Sequence, residues 1–521
     1  MVSVTCYDGV ATVGGNKILL EDGDARLWLD FGLDFSRMGM YYEEFIQPKS
    51  CTGIYEHVRM GLLPPIRDLY RGDLVSSKIN PWDGMEYREI GDVAGILISH
   101  AHIDHHGSLP FVRPDIPVYS SAMTLAIAKA SQDTGMGGIS AQYCYTASYE
   151  ETESGELKSS SHLKCPSQGR PYAFVGESPS APFSDFWMCT PSSQTDRGRR
   201  HNCKPIGTVS DCGGLKIHRF PVDHSIYGAC AWAIETSEGA VVYSGDLRCH
   251  GGHADSTWKF AEEAAKLKPR LLIIEGTRIE SDTTATEDQV RDHALDVIKG
   301  AEGLVIADFG ARNVERLVSF LQVAKDTGRK LILTEKDAYL LDAMARADSS
   351  GEIPLLDDKA ILIYTKYEAS AFNWKKQLRE KYAAKMVRPE QVCANQNKAI
   401  ICFSFFDVNE LAYIKPMPGS IWIYSSCEPF CEEMEMDLEK LKNWLKRYEV
   451  TLLGVTEEGQ EEKSPFHVSG HACKADLLKI IDIIRPETLV AVHTAKPKEY
   501  AEAIGDRCKV ILPERGAPIY V

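Results

Sequence analysis

The fold class predicted by the sequence is α/β, with a parallel, helix-covered sheet in the second half of the chain. Three observations carry it. After about residue 258, short apolar runs alternate with helical patterns such as EDQVRDHALDVIKG, NVERLVSFLQVAK and MDLEKLKNWLKRY, the rhythm of strands joined by crossover helices. The apolar run VAGILIS at 93–99 stops at the polar cluster HAHIDHHG at 100–107, as a buried strand does when it delivers side chains at its C-terminal end. Three later runs also end in a ligand-type residue: FPVDHSIYGA in His224, VVYSGDLRCHG in Asp246 and LVAVHTAKP in His493.

In chain order, KILLE (17–21) and RLWLD (26–30) flank the polar turn DGD, a β-hairpin signal. Residues 36–90 are rich in Gly, Pro, Tyr and Arg and read as long surface connections. Residues 146–214 carry many Ser, Gly and Pro with few periodic hydrophobics, and are expected to form an insertion rather than a domain. Strand signals return at 215–220, 229–235 and 240–244. Further strands are expected at 270–275, 303–308, 330–334, 360–365, 399–404, 420–425 and 450–455, then a helix at 472–484 and a strand at 488–492.

The 521 residues suggest two to four domains at roughly 100–200 residues each. With 44% hydrophobic and 25% charged residues the composition is globular, which excludes wholesale disorder. No apolar run approaches the roughly 18–20 residues that span a bilayer, so no membrane partner is expected. The start, MVSVTCYDGVATVGG, has neither a basic leader nor a long apolar core. With fifteen cysteines and no CxxC pair, this points to reduced thiols and a cytoplasmic location. A formal charge of −16 argues against a protein that coats nucleic acid, while leaving room for a local basic groove.

On its own an HxH is commonly a pair of exposed turn histidines. HxHxDH is more specific, because His100, His102, Asp104 and His105 crowd one turn, and such crowding is costly to desolvate without a metal. His106 reads as a bystander. An Asp at a strand end is usually a cap, so His224, Asp246 and His493 are weak signals singly. Together the seven candidate ligands exceed one tetrahedral site by three, which implies two metal ions bridged by a carboxylate.

These motifs, with Asp30 in LWLDFG, resemble the metallo-β-lactamase fold in its hydrolase branch. The spacing narrows the branch. Asp246 and His493 lie 247 positions apart, and a domain inserted there resembles the β-CASP nucleases. LLIIEGTRI, with Glu275, is similar to their acidic motif. FHVSGHACKADLLKIIDIIRPETLVAVHTAKP is similar to the ribonuclease J ending, with His467, Ser469, His471 and His493. IWIYSSCEP and FGARNVERL sit where those enzymes carry loops that approach nucleic acid, although SSCEP lacks the family's usual glycine.

The resemblance implies an αββα sandwich: residues 1–257 as its first part, 258–460 as a β-CASP domain, and 461–521 as the return segment. It implies one divalent ion on His100, His102 and His224, a second on Asp104, His105 and His493, with Asp246 bridging; zinc is the expected ion, with manganese the alternative. Asp30 would orient ligands from behind, or serve as a strand-end turn residue. Catalytic roles fall to His471, Glu275 and Asp104, with His471 protonating the leaving oxygen. The alternatives are an ordinary helix start for His471 and a strand-end salt bridge for Glu275. Substrate phosphates would meet His467, Ser469, Ser425, Ser426 and Arg312. RGRRHNCK (197–204) would guide the strand or form a solvated loop. Trp422, Tyr424, Phe405 and Phe406 are available for stacking, although most aromatics at strand positions are core. A structural zinc on Cys165, Cys189, Cys203 and Cys212, with His162 and His201 nearby, fits poorly, because spacings of 24, 14 and 9 match no finger pattern.

The expected function is a metal-dependent ribonuclease, exo- or endonucleolytic, that acts on single-stranded RNA segments or ends by two-metal hydroxide attack. The alternatives are a DNA-processing β-CASP nuclease, a hydrolase of small esters or lactones, and an inactive scaffold subunit. With 28 residues after His493, the chain resembles a short form lacking the C-terminal domain of bacterial ribonuclease J, so any homodimer would not be built through that domain.

Overall fold

A computed structural model describes Met1–Val521 except residues 136, 161–164, 192–198, 201–204, 283–284, 428, 430–431 and 456–463, and the side chains of 199 and 200. Its architecture rests on three sheets. The first has eight strands, in the order Gly207–Val209, Tyr172–Val175, Val118–Tyr119, Gly95–Leu97, Ala25–Phe31, Lys17–Asp22, Val2–Asp8 and Pro518–Tyr520. The predicted hairpin is there, antiparallel with Leu20 opposite Leu27. The second sheet runs Asp211–Cys212, Leu215–Pro221, Cys230–Thr236, Gly239–Tyr243, Leu271–Glu275, Thr488–Val492 and Lys509–Ile511.

These two sheets face each other. Leu20, Leu27, Leu29 and Leu97 from the first meet Trp232, Ile234, Ile273 and Val490 from the second in one buried cluster. The outer face of the second sheet is covered by helices Ala254–Lys266 and Lys474–Ile484, through Phe260, Ala264, Leu477 and Ile481. The outer face of the first sheet lies on helix Ala122–Thr134 and the aromatic packing of Trp28, Phe31 and Trp187. Both faces of each sheet are covered, which gives the αββα layering.

The third sheet has seven strands, Met386–Val387, Ile361–Tyr364, Lys330–Thr334, Ala399–Cys402, Val305–Asp308, Ile421–Tyr424 and Thr451–Leu453 in spatial order. Every pairing in it is parallel, and helices cover both faces. Its helix Glu335–Ala347 packs on Ala122–Thr134 of the first body.

Two boundaries differ from the sequence expectation. Strand Leu271–Glu275 pairs with Gly239–Tyr243 and Thr488–Val492 in the second sheet, so the inserted sheet begins with helix Glu287–Lys299 rather than near residue 258. The alternation of strand and helix continues across that border, which hides it from the sequence. The stretch 146–214, expected to form an insertion rather than a domain, contributes Tyr172–Val175 and Gly207–Val209 to the first sheet in parallel pairing. Strands of three or four residues are too short to show a period.

Candidate metal centre

The second sheet builds half of the site by topology. Strands Leu215–Pro221, Gly239–Tyr243, Leu271–Glu275 and Thr488–Val492 all point the same way. Their C-terminal ends therefore share one edge, where His224, Asp246, Glu275 and His493 follow. The first sheet supplies the rest. His100 and His102 lie just past Gly95–Leu97, and His102 caps the one-turn helix Ile103–His106 that carries Asp104 and His105. Gly32 permits the close approach: a Cβ there would lie 1.6 Å from the carbonyl oxygen of Asp104.

The seven predicted ligands converge in two groups. His100, His102, His224 and Asp246 form one, and Asp104, His105 and His493 the other, with the ligand atoms of each within 4.8 Å of one another. His102 Nδ1 lies 3.0 Å from His100 Nε2 and 3.1 Å from His224 Nε2. Asp246 Oδ2 sits between the groups, 3.6 Å from His100 Nε2, 3.7 Å from His224 Nε2, 3.2 Å from His105 Nε2 and 3.7 Å from His493 Nε2. His493 Nε2 is 3.1 Å from Asp104 Oδ2.

A layer of partners behind the cluster sets the tautomers. His105 Nδ1 donates to Asp30 Oδ2 at 2.7 Å, His100 Nδ1 to Ser99 Oγ at 3.0 Å, His224 Nδ1 to the Gly470 carbonyl at 2.5 Å, and His493 Nδ1 to Thr277 Oγ1 at 2.9 Å. With Nδ1 engaged, the four Nε2 lone pairs face inward, the arrangement metal-bound histidines use. Asp30 also accepts from Ser99 N (2.7 Å), Ser99 Oγ (2.7 Å) and Tyr243 OH (2.6 Å). Ser99, Tyr243 and Thr277 went unnoticed in the sequence, since a lone hydroxyl beside a strand end carries no motif.

The electrostatics fit cations. Burial, followed by neighbouring imidazole charge at His100 and offset in part by Asp246 at His224, holds both residues well below the ordinary histidine pKa, so their lone pairs are free. Burial also opposes charge on His105, yet the carboxylates of Asp246, Asp104 and Asp30 override it and raise its pKa well above the usual value. That point in the site favours positive charge. Asp246 Oδ1, buried, has no hydrogen-bond partner among the described residues, an orphan that a bound cation would satisfy. The donor set of imidazole and carboxylate suits zinc or a similar first-row ion.

His471 stands beside this cluster, its Nδ1 3.0 Å from Glu275 Oε1 and 3.9 Å from Asp246 Oδ2. Glu275 is buried, and it also accepts from Leu247 N at 3.0 Å and Thr277 N at 2.9 Å. Burial disfavours the imidazolium, but Glu275, then Asp246 and Asp104, lift the His471 pKa to about 9. Asp246, His471 and His493 also fall within ligand range of one another. Its pairing with Glu275, a carboxylate outside both ligand groups, sets His471 apart from the seven candidate ligands.

The remaining candidates divide. Ser469 accepts from His471 N at 3.2 Å, and His467 is half-buried on the same segment. Ser426 lies half-buried with its hydroxyl 3.4 Å from Asp308 Oδ1. Arg312, partly buried, reaches Ser131 Oγ at 3.3 Å. Ser425, expected to meet a phosphate, is instead buried, with its hydroxyl donated to the Phe466 carbonyl at 2.6 Å and its oxygens taken by Arg316. Its role here is to tie the third sheet to the return segment. Of the residues considered for a structural zinc, His162, His201 and Cys203 lie outside the described residues, as do the side chains of 197–204 and Glu428 of SSCEP; Cys165, Cys189 and Cys212 are free thiols.

Comparison with known proteins agrees with this geometry. Residues 462–512 match the family model described as a Zn-dependent metallo-hydrolase RNA specificity domain. A protein of Pyrococcus abyssi (strain GE5 / Orsay) named Ribonuclease J is 22% identical over 505 residues, covering 95% of this chain and 90% of that one. Proteins of the same name from Mycolicibacterium smegmatis (23% identical; 78% of this chain, 59% of that one) and Helicobacter pylori strain 26695 (20%; 94% and 56%) also match. The chain thus spans little more than half the length of these bacterial relatives. A crystal structure of a protein of unknown function from Enterococcus faecalis V583 shares the fold, with a TM-score of 0.64 at 22% identity over 99% of both chains. Over most of its length the chain is thus similar to ribonuclease J proteins, and its layered sandwich with an inserted parallel sheet is the arrangement that a metallo-β-lactamase fold with a β-CASP insertion implies.

Proposed function

We propose that the chain is a metal-dependent ribonuclease that hydrolyses phosphodiester bonds of RNA in the cleft between the sandwich and the inserted sheet. The observation that carries this reading is the pair of ligand groups sharing Asp246 beside a His471–Glu275 pair. His100, His102, His224 and Asp246 would hold one divalent cation, and Asp104, His105, His493 and Asp246 a second, zinc by donor chemistry. Cations held there would supply charge neutralisation at the phosphate oxygens and a lowered pKa for a bound water.

The chain's own groups do the rest. His471, held protonated by Glu275, gives its proton to the leaving ribose oxygen. Glu275 keeps the ring oriented, being fixed in turn by two backbone N–H groups. Ser469, His467, Ser426 and Arg312 would bind flanking phosphates, and the depth of the buried cluster favours unpaired substrate. No described helix is long and apolar enough to cross a membrane.

The test is digestion of end-labelled RNA and DNA strands bearing 5′-phosphate, 5′-hydroxyl or 5′-triphosphate, alongside metal analysis. We expect RNA cleavage and about two ions per chain. His102→Ala should lower the metal content and abolish hydrolysis while circular dichroism stays native. Cleavage of neither polymer by the metal-loaded protein, or full activity in the variant, would overturn the reading.

A further inference from the structure

Residues 467–472, which carry His471, form neither helix nor strand. A general acid works only within hydrogen-bond reach of the atom it protonates, and an irregular segment does not hold a side chain there by itself. The ends of this one are fixed. The Phe466 carbonyl accepts from Arg316 at 2.8 Å, and Ala472 N donates to the Leu247 carbonyl at 2.6 Å. Between them, three successive carbonyls each meet a different side chain. The Ser469 carbonyl accepts from His250 Nε2 at 3.0 Å, the Gly470 carbonyl from His224 Nδ1 at 2.5 Å, and the His471 carbonyl from Arg278 Nη1 at 3.3 Å. Side chains here supply the bonds that a helix or sheet would supply from backbone.

The three donors follow the strand ends that bring the candidate ligands together. His224 is itself such a ligand, His250 comes shortly after Asp246, and Arg278 shortly after Glu275. Arg278, half-buried, also donates to Ser281 Oγ at 2.9 Å; its backbone bridges that of Cys473, and Lys474 N donates to the Ser281 carbonyl at 3.0 Å. The chain leaving strand Leu271–Glu275 therefore runs beside the chain leaving His471. Gly470 seats the turn against the ligands: a Cβ there would lie 2.6 Å from Ser225 Oγ and 3.2 Å from His224 Cε1. His250 Nδ1 is buried without a partner among the described residues, which leaves Nε2 as the ring's bonding atom. Burial, aided by the charges of Arg248 and Arg278 and opposed by the Ser469 carbonyl, lowers its pKa. A neutral ring with its proton on Nε2 is the form that a carbonyl acceptor selects.

We propose that His250 and Arg278 are positioning residues for His471, clamping with His224 the three carbonyls of its turn so that the imidazole stays aimed at the leaving oxygen. The proposal rests on the ribonuclease reading above and adds to it how the proton donor is held. Both side chains act on the backbone of the turn. Their loss therefore falls on proton transfer rather than on substrate or metal binding.

The experiment uses two substrates of the metal-loaded chain. One is unstructured RNA, whose leaving ribose oxygen needs a proton; the other is the 4-nitrophenyl ester of uridine 5′-phosphate, whose phenolate leaves without one. The double variant His250→Phe with Arg278→Met keeps the bulk and removes the donors. It should lower kcat on RNA about 10–100-fold, with KM and bound metal within about twofold of wild type and kcat on the ester within about threefold. His250→Gln alone, whose amide N–H replaces the ring donor, should keep kcat on RNA within about threefold. Equal losses on both substrates, loss of metal, or undiminished turnover of RNA would overturn the positioning role. Amide exchange of residues 467–473 in the metal-free chain gives a readout independent of turnover. The double variant should exchange there about tenfold faster or more, with helix Lys474–Ile484 unchanged; wild-type exchange rates would overturn the clamp. Hydrolysis of neither substrate by the wild type would overturn the ribonuclease reading alone, since exchange still reports on the turn.

Discussion

Asp30 occupies the left-handed region at φ 57°, as does His493 at φ 51°. Asp and His enter that region more readily than most side chains, but still at a cost that the surroundings must offset. At Asp30 the reason is visible: four donors, from Ser99, Tyr243 and His105, converge on one carboxylate. Asp30→Asn tolerates the same backbone but turns an N–H2 toward some of those donors. We expect metal affinity to fall about 10–100-fold, read by competition with a chelator; affinity within about twofold of wild type would show that Asp30 is only a turn residue. Glu275→Gln is the matching test at the proposed proton donor, His471. It keeps the shape but removes the charge that holds His471 protonated, and confronts N–H donors with an amide. Turnover should drop about 10²–10⁴-fold while RNA binding stays within about threefold, and equal losses in both would remove His471 from the acid role. The candidate ligands were legible because imidazole and carboxylate at HxHxDH spacing have few other uses. The hydroxyls and strained torsions that aim them were not, since their meaning lies in contacts between residues 69 to 216 positions apart.

At the scale of elements, the strand ends carry the polar chemistry and are the least stable places to put it. Asp308 closes strand Val305–Asp308 with its carboxylate buried. Burial pushes its pKa up to about 7, against the hydrogen bonds from Trp422 Nε1 at 3.1 Å and Ser426. Because the folded-state pKa lies above the unfolded one, the contribution to stability is full below about pH 4 and is lost as pH rises through about 7. Asp308→Asn removes the titration and keeps an acceptor for Trp422. It should unfold at higher denaturant than wild type at pH 8, by on the order of 1–3 kcal/mol, with the difference shrinking toward pH 5. A difference independent of pH would mean that Asp308 does not titrate in this range. The seven strands of the third sheet were legible because parallel strands buried on both faces are continuous apolar runs. The strands Tyr172–Val175 and Gly207–Val209 were not, because their pairing partners in the first sheet, not their own sequence, make them strands.

For the whole molecule, the start of helix Val314–Asp326 pins the inserted sheet to the sandwich. Just before it, Arg312 reaches Ser131. Glu315 accepts from Gly252 N at 2.6 Å and pairs with Arg248, which is itself held by Asp223. Arg316, buried, donates twice to Glu287 at 2.8 Å and to the carbonyls of Ser425 at 2.7 Å and Phe466 at 2.8 Å. One side chain thus joins two helices, a strand end of the third sheet and the segment that returns to His471. Arg316→Met should strand a buried Glu287 carboxylate and two carbonyls, and cost about 3–5 kcal/mol. Adding Glu287→Leu removes the unpaired charge and should recover part of that loss, but not all, because the Ser425 and Phe466 carbonyls remain without their donor. The loss has a second signature. If Arg316 fixes the chain that leads into the His471 segment, the single variant should lose turnover on RNA beyond its loss of folded protein, since Arg316 holds the Phe466 carbonyl at the start of that segment. Denaturant unfolding gives the first quantity, and turnover per folded molecule with bound metal gives the second. A variant with wild-type turnover per folded molecule would show that the cleft is held by the helix packing of Glu335–Ala347 on Ala122–Thr134 alone.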